Sequence, residues 1–187
     1  MCTTLLPALL ELCGDPVAAV RRAAAQQVGC VLSTAGLLAP GCTQPRNNSA
    51  QDVIAQVCSL ARSSSFQQRV SYAHAFGSIA HHASQEDMCT LFLPSFTKLT
   101  NDSVLDVRLA AASVLSAMAE SYGPEVPCSR HDDAAAAHVQ PGVRAMLTDM
   151  RLHEVVNLAT DDGDTAVAQT ACVCRKHLSN VLLCDYA

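Results

Sequence analysis

Residues 15–33 read DPVAAVRRAAAQQVGCVLS, and residues 102–120 read DSVLDVRLAAASVLSAMAE. The two strings are near-paraphrases displaced by 87 residues. Self-similarity of this kind restricts a chain to architectures that stack one supersecondary unit on the next. Extended backwards, the strings become LPALLELCGDPVAAVR (6–21) and LPSFTKLTNDSVLDVR (93–108). Pro7, Asp15 and Arg21 match Pro94, Asp102 and Arg108 at the same internal spacings.

The apolar positions repeat as well. Val17, Val20, Ala24, Val28 and Val31 correspond to Val104, Val107, Ala111, Leu115 and Met118. Their steps of 3, 4, 4 and 3 residues describe one face of an α-helix. A shorter apolar stripe, Leu6, Leu9, Leu10 and Leu12, precedes the first Asp. Asp15-Pro16 suits a tight turn, because Asp caps the following helix and Pro fits its first turn. Each unit therefore reads as helix, turn, helix.

Two weaker copies complete the series. Residues 53–80 place Arg69 at the Arg position and Tyr72, Phe76 and Ile79 on the apolar face, with Ser63 where the Asp should be. Residues 146–178 offer Asp161 for the Asp position and Val167 where Arg belongs. The expected organisation is one all-α array of about four helix pairs, near 3–35, 51–83, 86–122 and 143–183. Two connectors separate them: 36–50, rich in Pro, Gly and Asn, and the low-complexity 123–142. A lone helix pair cannot bury its apolar face, so the pairs must stack into an α-α superhelix. The chain opens and closes on apolar residues, which suggests a fragment or an end that needs a partner.

Composition removes several function classes. Charged residues make up 16% of the chain, net charge is −5 and aromatics are 4%. A nucleic-acid binder needs clustered Lys and Arg, so none is expected as a partner. No apolar run approaches the roughly 20 residues of a membrane span, and no membrane partner is expected. The ten cysteines are scattered, mostly within apolar helical patterns, and read as reduced core residues of a cytoplasmic protein, with the nucleus as a second compartment.

The pattern L-P-x₇-D-x₄-V-R-x-A-A, carried by Pro7, Asp15, Val20, Arg21, Ala23 and Ala24 and again by Pro94, Asp102, Val107, Arg108, Ala110 and Ala111, resembles the HEAT repeat. Within that class, residues 65–118 are similar to the scaffold subunit family of protein phosphatase 2A, and a regulatory subunit of protein phosphatase 4 is a related possibility. The resemblance implies a non-catalytic scaffold holding a phosphatase catalytic subunit and other regulatory subunits. It also implies that Asp15, Arg21, Arg69, Asp102 and Arg108 form a ladder fixing the stacking of neighbours, with Arg108 securing the junction of the second and third units. The turns between paired helices would form the partner-binding ridge, with Asp15, Pro16, Ser65, Phe66, Gln67, Asn101, Asp102, Ser103 and Asp162 as contacts. Phe66 is the best of these, although an equally good reading has it closing its own unit's core.

The alternatives are an adaptor for transport or cytoskeletal cargo and, less favoured, a relative of HEAT-type metal hydroxylases. The latter use paired His-Glu steps, and His153-Glu154 is the one such step. Cys128 with His131 and Cys174 with His177 have zinc-compatible spacing, but short spacings arise easily among many Cys and His. His74, His81 and His82 read as a half-buried histidine and a helix-end pair. No phosphate loop or nucleophile elbow is present, and no cofactor is expected.

Overall fold

A computed structural model describes residues 2–38, 48–121, 156–157 and 159–184. The first unit is α1 (Cys2–Leu12) and α2 (Ala18–Thr34). The second is α3 (Asn48–Ser59), closed by a 3₁₀ turn at Leu60–Arg62, and α4 (Phe66–Ala80). The third opens with α5 (Gln85–Asp87), a π-helical turn at Met88–Phe92, α6 (Leu93–Phe96) and a 3₁₀ turn at Leu99–Asn101, then continues as α7 (Leu105–Ser121). In the fourth, α8 (Thr165–Cys184) follows helical residues at 156–157 and 159–160. Every regular element among the described residues is helical, and the chain forms an all-α superhelix of stacked helix pairs.

The second helices make one continuous layer: α2 packs on α4, α4 on α7, and α7 on α8. The core runs between this layer and the first helices. Val28, Phe76, Ile79, Val107, Leu115 and Met118 are buried on the face that the periodicity assigns. Phe76 stacks on Phe96, ring centroids 4.0 Å apart, which ties the second and third units together. The fully buried Tyr72 donates its hydroxyl to the Phe92 carbonyl at 2.9 Å. The π turn there ends two residues before Pro94, whose missing N–H and crowded ring disturb a regular helix ladder.

Closest of all is the crossing of α2 and α4. A Cβ at Gly29 would stand 2.3 Å from the Ser78 carbonyl oxygen, so only glycine fits. The Gly29 N–H donates to Ser78 Oγ, which itself donates to the Gln26 carbonyl. Helix α2 ends in a Schellman motif: Gly36 has φ +71°, its N–H bonds the Ser33 carbonyl, and the Leu37 N–H bonds the Leu32 carbonyl.

Two sequence expectations change. The connector expected at 36–50 is shorter on both sides, because Leu38 is buried in the core and α3 begins at Asn48. In the fourth unit Asp162, rather than Asp161, occupies the Asp position; Val167 then aligns with Val107, both fully buried, and Ala168 stands where Arg belongs. The expected loop at 123–142, residues 143–155 of the fourth repeat, and Cys128, His131, His153 and Glu154 lie outside the described residues.

Candidate functional site

Each inter-helix turn is built the same way. An oxygen of the residue at the Asp position accepts the N–H two residues on, at 2.7 Å for Asp15 to Val17, 2.9 Å for Asp102 to Val104 and 2.8 Å for Asp162 to Asp164. Ser63 does the same through Oγ for Ser65, at 3.1 Å, so the turn survives without a carboxylate.

Six residues after that position, an arginine reaches back over the turn. Arg21 Nη1 donates to the carbonyls of Asp15 and Pro16, Arg69 Nη1 to those of Ser63 and Ser64, and Arg108 Nη1 to those of Asp102 and Ser103. In Arg69 and Arg108 the rest of the guanidinium points to the next unit. Arg69 grips Asp102 bidentately, at 2.7 Å from Nε and 3.0 Å from Nη2. Arg108 grips Asp162 at 2.6 and 3.2 Å. A planar fork meeting a carboxylate fixes orientation as well as distance.

The Arg69 and Asp102 side chains are only 14% and 11% exposed, so solvent screens this pair weakly. Burial alone would raise the Asp102 carboxyl, but bonds from Arg69 and the Val104 N–H outweigh it and hold the group below its ordinary range. The Arg108 bond likewise lowers Asp162.

These rungs differ from the sequence reading in three ways. Arg108 joins the third unit to the fourth, while Arg69 joins the second to the third. Asp162, named among the ridge contacts, is spent on a rung, as is Asp102. At the first junction the second unit has Ser63 and Gln68 where the others have Asp and a Val, half-buried as Val20 and fully buried as Val107 and Val167. Ser63 Oγ donates to Gln68 Oε1 at 2.5 Å, and the Gln68 amide lies over Gly14. The tie there is Ser71 Oγ donating to the Cys13 carbonyl at 2.8 Å.

The rungs hold the second, third and fourth turns side by side, and the first is tied to the second unit through Ser71. Along them run exposed apolar side chains at the starts of the second helices: Val17, 55% exposed, before α2, Phe66, 36%, at α4, and Leu105, 39%, at α7. Pro16, Asn101 and Ser103 are exposed beside them, whereas Asp15, Ser65 and Gln67 are half-buried. Ser65 Oγ donates to Gln67 Oε1 at 2.7 Å. Val17, read from the periodicity as the first residue of the apolar face, is instead exposed, because it stands at the turn before α2 begins. Leu105 was not singled out from the sequence; the available signal was an apolar residue three places after the Asp position, where the core pattern does not require one.

Metal-ligand geometry is absent where it can be assessed: among the described residues no group of three or more His, Cys, Asp or Glu side chains comes together. Cys174 is buried, and burial, aided by the charge of Glu120, pushes its thiol up to about 12. A thiol held protonated is a poor metal ligand. His177 faces Glu120 at 4.0 Å instead. Burial also raises Cys13, to about 11. Cys30 is an exception to the core expectation, being exposed. Among the described residues no helix is long and apolar enough to cross a membrane.

The HEAT repeat family model matches residues 5–35 and 92–122, the first and third units. Those segments are similar to the HEAT repeat. The match follows the chemistry, because these two units carry the Asp, Val and Arg of the turn in full, while the second lacks the Asp and Val and the fourth lacks the Arg. No curated protein matches the chain. HEAT repeats are typically non-catalytic, and their architecture suggests a helical scaffold or adaptor.

Proposed function

We propose that this HEAT-repeat chain is a non-catalytic scaffold that holds a serine/threonine protein phosphatase catalytic subunit, together with other regulatory subunits, against its turn ridge. The observation that carries the scaffold reading is the row of Val17, Phe66 and Leu105, exposed on three consecutive turns. Leaving large apolar side chains in water is unfavourable, and aromatic residues are concentrated at interface hot spots. The arginine rungs fix the second, third and fourth turns relative to one another, so a partner binds that part of the ridge without having to order it first. Holding two proteins on one template raises their effective concentration for each other without any chemistry by the scaffold itself.

The phosphatase as partner rests on the resemblance of residues 65–118. Affinity purification of the tagged full chain should recover a phosphatase catalytic subunit, and Phe66→Asp should reduce the recovery at least tenfold. Recovery of no phosphatase sinks that partner. A different protein, lost in the same way on Phe66→Asp, would assign the ridge to another cargo.

A further inference from the structure

The first junction has an arginine prepared for a rung that is missing. Arg21 makes the same two bonds to its own turn as Arg69 and Arg108, at 2.7 and 2.9 Å, so its guanidinium is held in the same way. In the other two units the remaining edge, Nε and Nη2, grips the next unit's aspartate. Here the equivalent residue is Ser63, and its hydroxyl is turned towards Gln68. Among the described residues no carboxylate pairs with Arg21.

Arg21 lines a cleft of 470 Å³ between α2 and α4, with Arg22, Gln26, Ser71 and His74. A second cleft of 420 Å³ continues over α4 towards α7 and shares Gln26 and His74 with the first. The two clefts adjoin at Gln26 and His74 and make a channel-like path along the second helices, with His81 and His82 lining its far part. Among the described residues no acidic side chain lines either cleft, in a chain whose net charge is −5. Burial, and then the charge of Arg22, lowers His74 below its ordinary range. The imidazole is therefore neutral at pH 7, and the arginines carry the channel's positive charge.

We propose that this channel binds a linear acidic segment of a partner protein, with one Asp or Glu carboxylate seated bidentately on Arg21 Nε and Nη2 in place of the missing aspartate. Charge complementarity selects the acidic peptide, and the length of the channel across three helices suits an extended chain better than a small anion. Small residues in the lining, Ala18, Ala19, Gly77 and Ala117, let a backbone approach closely. The proposal rests on the scaffold reading: the carboxylate's seat adjoins the second unit's turn, and the rest of the segment runs along the flank of the second helices.

Fluorescence anisotropy with the full chain tests it. The probe is a labelled Glu/Asp-rich peptide of about 12 residues, compared with its Gln/Asn counterpart and a phosphoserine counterpart. The acidic peptide should bind saturably, weaken as salt rises, and lose at least about tenfold in affinity in Arg21→Gln and in Ser63→Asp. Ser63→Asp supplies the rung from within, so it blocks the site while tightening the fold, which separates loss of the site from loss of folding. No saturable binding by the wild type, or unchanged affinity in Ser63→Asp, overturns the proposal. Tenfold preference for the phosphoserine peptide overturns the carboxylate assignment in favour of phosphate. Partner capture through the ridge is read separately by affinity purification, so failure of either site is distinguishable from failure of the other.

Discussion

A guanidinium has more donors than its own turn can use, and the three arginines show where the surplus goes. Arg69 and Arg108 spend it on the next unit's aspartate; Arg21 has none to spend it on. Replacing Arg69 by Ala leaves Asp102, 11% exposed, without its partner and frees two turn carbonyls. A bond to a charged group is worth about 1.5–3 kcal/mol, so Arg69→Ala should cost about 2 kcal/mol and lower the melting temperature by roughly 5 °C at unchanged helix content. An unchanged melting temperature would remove the rung from the account of stacking. The same carboxyls set an acid limit. Asp102 and Asp162 titrate below their ordinary value in the folded state. Their contribution is therefore fully present above the unfolded carboxyl pKa of about 4 and is lost as pH falls through the lower folded values. Thermal melts between about pH 5 and pH 2 should show this loss in the wild type and a smaller one in the Arg69→Ala, Arg108→Ala double variant.

At the scale of the helices, the crossing of α2 and α4 is the tightest constraint. Gly29→Ala places a methyl group within the Ser78 peptide, which cannot give way as a flexible side chain can. The helices must separate, and overpacking of this kind costs about 1–3 kcal/mol; denaturant midpoints would report it, and a neutral effect would contradict the close approach. In α7, Leu115 is 1% exposed on the face packed against the core. Leu115→Asp buries an unpaired charge and should cost about 4 kcal/mol or more, unfolding the third unit as seen by circular dichroism. The apolar face of α7 was legible because its 3.6-residue periodicity depends only on local spacing. Gly29 was not legible, since its sequence neighbours say nothing about the helix that crosses it. The fourth unit's register was one residue out, because Asp161 and Asp162 are equivalent as letters. Only burial of Val167 and the reach of Arg108 separate them.

Across the whole molecule the junctions are unequal. The second and third carry charged rungs, while the first relies on Ser71, Gln68 and the glycine crossing. In a stacked array, stability is nearly the sum of unit and junction contributions. Native-state hydrogen exchange should therefore find the first unit opening at lower free energy than α4 and α7, with Ser63→Asp slowing that opening. Equal protection along the array would mean that the rungs do not govern stacking.

The amino-acid sequence by itself determined the helix pairs, their apolar faces and the recurring turn, because each depends on spacing within a few residues and on the preferences of Asp, Pro and Arg. Tertiary structure alone decided which arginine meets which aspartate and which apolar turn residues stay in water. Those are relations between units some 40 to 60 residues apart. They are set by how one helix layer lies on the next, and no local pattern encodes that distance.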